Sequence, residues 1–98
     1  MVSIFWFFEV PVEKQAQYLK ITIEKIKPFW ESHGCQSYEI WQSAKGEPAF
    51  MKIMLFPDMQ TMQKATGLVQ SDPEARGVAD LFTSFATNTS RRIYVKKT

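Results

Sequence analysis

The 98-residue sequence predicts an α+β fold, a four-stranded antiparallel sheet with two helices on one of its faces. Three observations carry this. Strand-like and helix-like stretches follow one another as strand, helix, strand, strand, helix, strand. Two of the strand runs, SIFWFFEV (3–10) and AFMKIMLF (49–56), are apolar on both sides, as strands in the middle of a covered sheet are. The other two, CQSYEIWQS (35–43) and RRIYVKK (91–97), are more polar, and lysines near a sheet edge discourage stray pairing.

The first strand covers about residues 2–10. Pro11 then opens a helix, with Glu13 in its first turn, where a negative charge suits the helix dipole. Val12, Ala16, Leu19, Ile23, Ile26 and Trp30 recur at helical spacing and predict one buried stripe. Pro28 should kink or tighten the last turns, and Gly34 is a natural stop after Ser32-His33. Two strand runs around the AKGEP loop then read as a hairpin. Asp58 can cap a helix carrying Met59, Met62, Ala65 and Leu68 or Val69. SDPEARG restarts it, with Ser71 or Asp72 as cap and Pro73 as first helical residue. Val78, Leu81, Phe82 and Phe85 follow at helical spacing. Two right-handed crossovers fold this order into a ferredoxin-like βαββαβ unit, with the first and third strands central.

Alternation along the strands assigns faces. Ile4, Trp6, Phe8 and Val10, Tyr38 and Ile40, Ala49, Met51, Ile53 and Leu55, and Ile93 and Val95 are expected to face the helices. The opposite face then holds Phe5, Phe7, Trp41, Phe50, Lys52, Met54, Phe56 and Tyr94. A hairpin pairing Ser43 with Pro48 supports this, because it sets Glu39 against Lys52 and Trp41 against Phe50. Aromatic side chains bury about 150–250 Å² each, so this second face is too apolar for a monomer. A homodimer is expected, with Phe5, Phe7, Trp41, Phe50, Lys52, Met54 and Tyr94 at its interface and Glu9, Glu39 and Lys52 as its polar groups.

Composition bounds the function. The chain has the length of one domain, read as 1–98, and an ordinary apolar fraction of 45%. The net charge of +2 gives no case for nucleic acid. Cys35 is the one cysteine, so neither an internal disulfide nor a thiolate metal centre is expected. Its natural place is as a small buried side chain. The apolar start lacks a basic leader and is too short to span a bilayer, so no membrane role and a cytoplasmic location are expected.

The layout resembles the dimeric α/β-barrel superfamily, which includes the antibiotic-biosynthesis-type monooxygenases and NIPSNAP-like proteins. The resemblance rests on FFEVPVEKQAQYL at the first strand–helix junction, HGCQSYEIWQS after the first helix, and SDPEARG in the second. It implies a homodimer with an apolar pocket between sheet and helices. Haem-degrading members use a histidine on the second helix and an asparagine on the first strand. Here residues 58–90 hold no histidine and SIFWFFEV no asparagine. Other members use a His-Asp pair. The single histidine, His33, is the weak catalytic candidate, and its place beside Gly34 suits a helix C-terminus better. Cofactor-independent monooxygenases need few catalytic groups, because the substrate itself activates oxygen. Trp6, Phe8, Tyr38 and Arg76 are the candidates to line such a pocket. The expected function is therefore binding of a small apolar or aromatic molecule, with a cofactor-free monooxygenase as the enzymatic alternative. No cofactor or metal is expected. RNA-recognition domains share the element order and stack bases on central-strand aromatics. AFMKIMLF lacks their basic, glycine-containing motif, and Glu9 and Glu39 stand against an RNA partner.

Overall fold

Four strands, β1 (Val2–Glu9), β2 (Ser37–Gln42), β3 (Ala49–Phe56) and β4 (Thr87–Val95), form one antiparallel sheet in the order β2-β3-β1-β4. This is the arrangement in a computed structural model, which describes residues 1–46 and 48–98; Glu47 of the AKGEP loop lies outside the described residues. The expected central strands are central. β4 begins earlier than expected, at Thr87, and a bulge opposite Phe7–Glu9 takes up an extra residue. Asn88 sits there at φ 53, a conformation that asparagine tolerates. Its side-chain amide donates to Glu9 Oε1 at 2.7 Å.

The helices divide where the sequence marks them. α3 (Met59–Ser71) starts on Asp58, whose carboxylate accepts from Thr61 N–H at 2.7 Å. α4 (Pro73–Phe85) starts on Asp72, which accepts from Glu74 N–H at 3.2 Å, with Pro73 at the first helical position. Asp72→Ala should therefore cost on the order of 1 kcal/mol in a urea melt. An unchanged midpoint would show that this cap contributes nothing.

The first helical stretch departs from the expected stripe. It runs as a 3₁₀ turn (Val12–Lys14), α1 (Gln15–Ile21), a π-helical turn (Thr22–Ile26) and α2 (Lys27–Glu31). Pro28 has no N–H to give to the carbonyl four residues back. Just before it, Lys27 N–H reaches Thr22 O, five residues back. The wider turn rotates the buried face. Tyr18, Thr22, Ile26, Phe29 and Trp30 face inward, whereas Val12, Ala16, Leu19 and Ile23 are exposed. Gly34 ends the stretch at φ +101, and a Cβ there would lie 2.6 Å from Thr61 Cγ2. Glycine thus meets two demands, a left-handed backbone and the close approach of α3.

The face assignment of β3 is corrected. Trp6 opposes Lys52 and Phe8 opposes Phe50, so the even residues of β3 share the helix-facing side with Ile4, Trp6 and Phe8. Phe50, Lys52, Met54 and Phe56 are buried there, and Met51, Ile53 and Leu55 belong to the open face. The cause is a one-residue slip in the hairpin. Ser43 N–H bonds to Ala49 O rather than pairing with Pro48, and Gly46 turns the loop at φ +71. Glu39 therefore opposes Ile53, and Trp41 opposes Met51. A slip of one residue moves every side chain of a strand to the other face. The expected Glu39–Lys52 ion pair does not form.

Candidate functional site

Three adjacent strands set Lys52, Trp6 and Arg91 in one row, because Trp6 opposes Lys52 across β3 and Arg91 across β4. All three point to the helix side. The Lys52 side chain is only 3% exposed. Its Nζ lies 3.6 Å from the Phe82 ring centroid, 5.3 Å from that of Trp6 and 5.5 Å from that of Tyr38. Aromatic faces attract a cation and replace part of its lost hydration. They do not replace all of it. Burial drives the amine from its ordinary 10.5 down to about 7, with Cys35 acting weakly in the other direction. Among the described residues no carboxylate pairs with Lys52. Arg91 is exposed, and its guanidinium carbon stands 5.6 Å from the Trp6 ring.

A cavity of about 270 Å³ opens over this row. Ile4, Trp6, Lys52 and Met54 form its sheet side. Thr66, Val69 and Gln70 from α3 and Val78, Phe82 and Thr83 from α4 form its helix side, with Trp30 of α2 and Arg91 of β4 completing it. The lining is apolar and aromatic with a few polar groups, the make-up of a small-molecule site. Deeper in the core lie the hydroxyls of Tyr18, Thr22 and Tyr38, buried with no hydrogen-bond partner among the described residues. Thr22 is near enough to Tyr18 to oppose its shift, yet the pair completes no hydrogen bond. Burial pushes the Tyr18 phenol up to about 12 and the Tyr38 phenol well above its ordinary value. The Cys35 thiol, which donates to Ser37 O at 3.2 Å, is likewise raised by burial.

The expected pocket residues separate. Trp6 lines the cavity. Phe8 does not; it packs in the core against Tyr18, Phe50 and Phe82, with ring centroids 5.8, 5.9 and 5.0 Å away. Tyr38 lies behind the cavity, under Lys52. Arg76 is exposed, and its guanidinium donates to Val69 O and Gln70 O, tying α4 back to the end of α3. His33 stands where its sequence position put it, at a helix end. Its Nδ1 lies 2.9 Å from Phe29 O and 3.0 Å from Ser32 Oγ, and its ring stacks on Phe29 at 4.4 Å. Among the described residues no carboxylate faces it. It borders a separate surface groove with Gln60, Thr61 and Lys64. Of the expected interface residues, Phe5, Phe7, Trp41 and Tyr94 lie on the open face, and Phe50, Lys52 and Met54 do not.

Lys52 and Arg91 were not expected in the site, nor was its α3–α4 wall. The signal for Lys52 was visible: it is the one charged residue in AFMKIMLF. Among the described residues, no group of three or more His, Cys, Asp or Glu side chains is placed to hold a metal, and no helix is long and apolar enough to cross a membrane.

No family model and no curated protein matches the chain. Solved structures do. SnoaB, a cofactor-independent oxygenase from Streptomyces nogalater, superposes with a TM-score of 0.80 at 11% identity, over 99% of this chain and 93% of that one. An uncharacterized NIPSNAP domain protein from Burkholderia xenovorans gives 0.76 at 10% identity, over 99% and 95%. An antibiotic biosynthesis monooxygenase gives 0.74 at 12% identity, over the full length of both chains. At such identities the likeness carries the fold and leaves activity to the site. The chain has the ferredoxin-like α+β fold of the antibiotic-biosynthesis-monooxygenase-like and NIPSNAP-like structures.

Proposed function

We propose that the chain is a homodimeric binding protein for a small planar aromatic molecule held between sheet and helices. The observation that carries this is the cavity of about 270 Å³ with Trp6, Trp30 and Phe82 in its lining. Two of the three tryptophans lie at the site, so their fluorescence reports on it. Titration with the neutral ring compound 2-naphthylmethanol should give saturable quenching. Val78→Trp, which fills the cavity from α4, should remove it. Quenching that never saturates in the wild type would overturn the reading.

The dimer is proposed from the open face of the sheet. Phe7, Trp41 and Tyr94 are 40%, 57% and 49% exposed there, beside half-buried Phe5, Met51, Ile53 and Leu55. The β4 residues on this face, Ser90, Arg92 and Tyr94, are all exposed. A second copy presenting the same face supplies the missing cover.

Lys52 favours a second reading, that of a cofactor-independent oxygenase, the description carried by SnoaB. A near-neutral amine in a dry, aromatic cavity suits a general base. It would take a proton from an acidic C–H of the substrate; the carbanion would add to molecular oxygen as a peroxide, take that proton back from Lys52, and lose water to leave a new carbonyl. Oxygen uptake with an acidic aromatic ketone, abolished in Lys52→Met, tests this reading.

A further inference from the structure

We propose that the ligand of this cavity is an anion, a small aromatic ring bearing one ionised oxygen, with that oxygen at Lys52 Nζ and the ring against Trp6 and Val78. The inference rests on the small-molecule reading above and deepens it. A cation buried this far normally has a counter-charge. Among the described residues Lys52 has none, and what faces it is aromatic: Phe82 at 3.6 Å, then Trp6 and Tyr38. The cavity reaches Lys52 directly, so a ligand can supply the charge that the protein does not. A second cation, Arg91, stands over the same Trp6 ring from the neighbouring strand. The row therefore presents positive charge on both sides of one aromatic surface. The other polar lining groups, Thr66, Gln70 and Thr83, are neutral. With a single buried cation, a singly charged carboxylate or phenolate leaves no uncompensated charge in the core, as a doubly charged phosphate would. The volume of about 270 Å³ limits the ligand to a small ring system.

The titratable groups that surround Lys52 make the proposal testable by pH. Tyr38 faces it from β2, with Tyr18 beyond Tyr38; Cys35 acts on it from just before β2, and Arg91 shares its cavity from β4; the lining from α3 and α4 contains no titratable side chain. Burial holds the two phenols and the thiol protonated beyond their ordinary range. The Lys52 amine changes charge at about pH 7 in the free protein, and a bound anion would hold its proton on. Affinity for an anion should then be flat below that pH and fall about tenfold per pH unit above it.

The experiment titrates 1-naphthoate and neutral 1-naphthylmethanol into the dimer, read by tryptophan fluorescence. In the wild type, naphthoate should bind at least tenfold more tightly than the alcohol at about pH 6 and lose that advantage by about pH 9. Lys52→Met, similar in length and free of the buried charge, should lose the change in preference between about pH 6 and pH 9, keeping at most the small, pH-independent preference that exposed Arg91 gives. The pH series on the wild type decides the matter by itself if that variant fails to fold. Equal binding of both compounds by the wild type, or a preference for the alcohol, overturns the charge assignment and leaves the pocket reading standing. Binding of neither overturns both.

Discussion

Lys52→Met should make the unliganded protein more stable at neutral pH, although it removes a residue that lines the cavity. A shift from 10.5 to about 7 means that the folded state holds the Lys52 proton more weakly than the unfolded chain does. Between those values the unfolded state binds more protons, so stability rises with pH across the window. Below it the penalty is complete, on the order of 5 kcal/mol at about 1.4 kcal/mol per unit. The shift reflects burial and Cys35 alone, so the cation–aromatic contacts work against the penalty and make this figure an upper one. Replacing a buried charge by an apolar side chain of similar shape commonly gains about 1–4 kcal/mol. For a chain of this length, each kcal/mol is worth about 4–8 °C in Tm. The variant should therefore melt visibly higher at about pH 6–7, and the gap should close by about pH 10. The buried phenols of Tyr18 and Tyr38 have raised folded values, so their contribution is lost as pH climbs through those values. Both proteins share that loss, and the difference between them reports Lys52 together with its coupling to Cys35. Equal melting at neutral pH, or a gap that ignores pH, would place the amine in water rather than in the core.

A buried lysine at the centre of a strand also explains why β3 presents the opposite face from the one expected. β3 is apolar on both faces, Phe50, Met54 and Phe56 on one and Met51, Ile53 and Leu55 on the other. Hydrophobicity alone cannot choose between the two sets. Only the set without Lys52 is uniformly apolar, and lysine is almost never fully buried. General burial statistics therefore sent it, and its whole face, outward. The loop could not correct this, because four-residue and five-residue connections are both common and they differ by one step of register. In the first helical stretch the failure has another origin. Val12, Ala16, Leu19, Ile23, Ile26 and Trp30 keep a faithful helical period, but the period assumes an unbroken α-helix. The π turn before Pro28 breaks the phase, so the last two positions are buried and the first four are not. Punctuation residues were more reliable. Gly34, Asp58, Asp72 and Pro73 act within one turn of themselves and do not depend on what packs from afar. The strand order followed from connectivity and from the polarity of the edge strands. The cavity did not follow, since its wall joins β3 to residues of α3 and α4 that are distant in sequence and carry no motif.

Phe7→Glu should convert a dimer into a monomer. Correcting β3 exchanges the members of the open face without making it polar: Phe50, Lys52 and Met54 leave, and Met51, Ile53 and Leu55 enter. Phe7 sits on the central strand β1, opposite Met51 on one side and Ser90 on the other. Phe5 and Tyr94 meet edge-to-face beside it, with ring centroids 5.1 Å apart. At about 25 cal/mol per Å², a few hundred Å² of apolar cover per copy gives several kcal/mol, against the entropy of association. Aromatic groups at the middle of a patch carry most of such energy. A glutamate there would bring like charges from two copies into a desolvated centre, a cost of several kcal/mol that the remaining contacts would not offset. The same substitution leaves the cavity intact, because Phe7 lies on the opposite face from Trp6 and Lys52. Light scattering should give twice 11.4 kDa for the wild type and the single-chain mass for the variant, which should still quench with 2-naphthylmethanol. A wild type that is monomeric at micromolar concentration would show that the open face of the sheet is stable in water, and that this fold stands here without a partner.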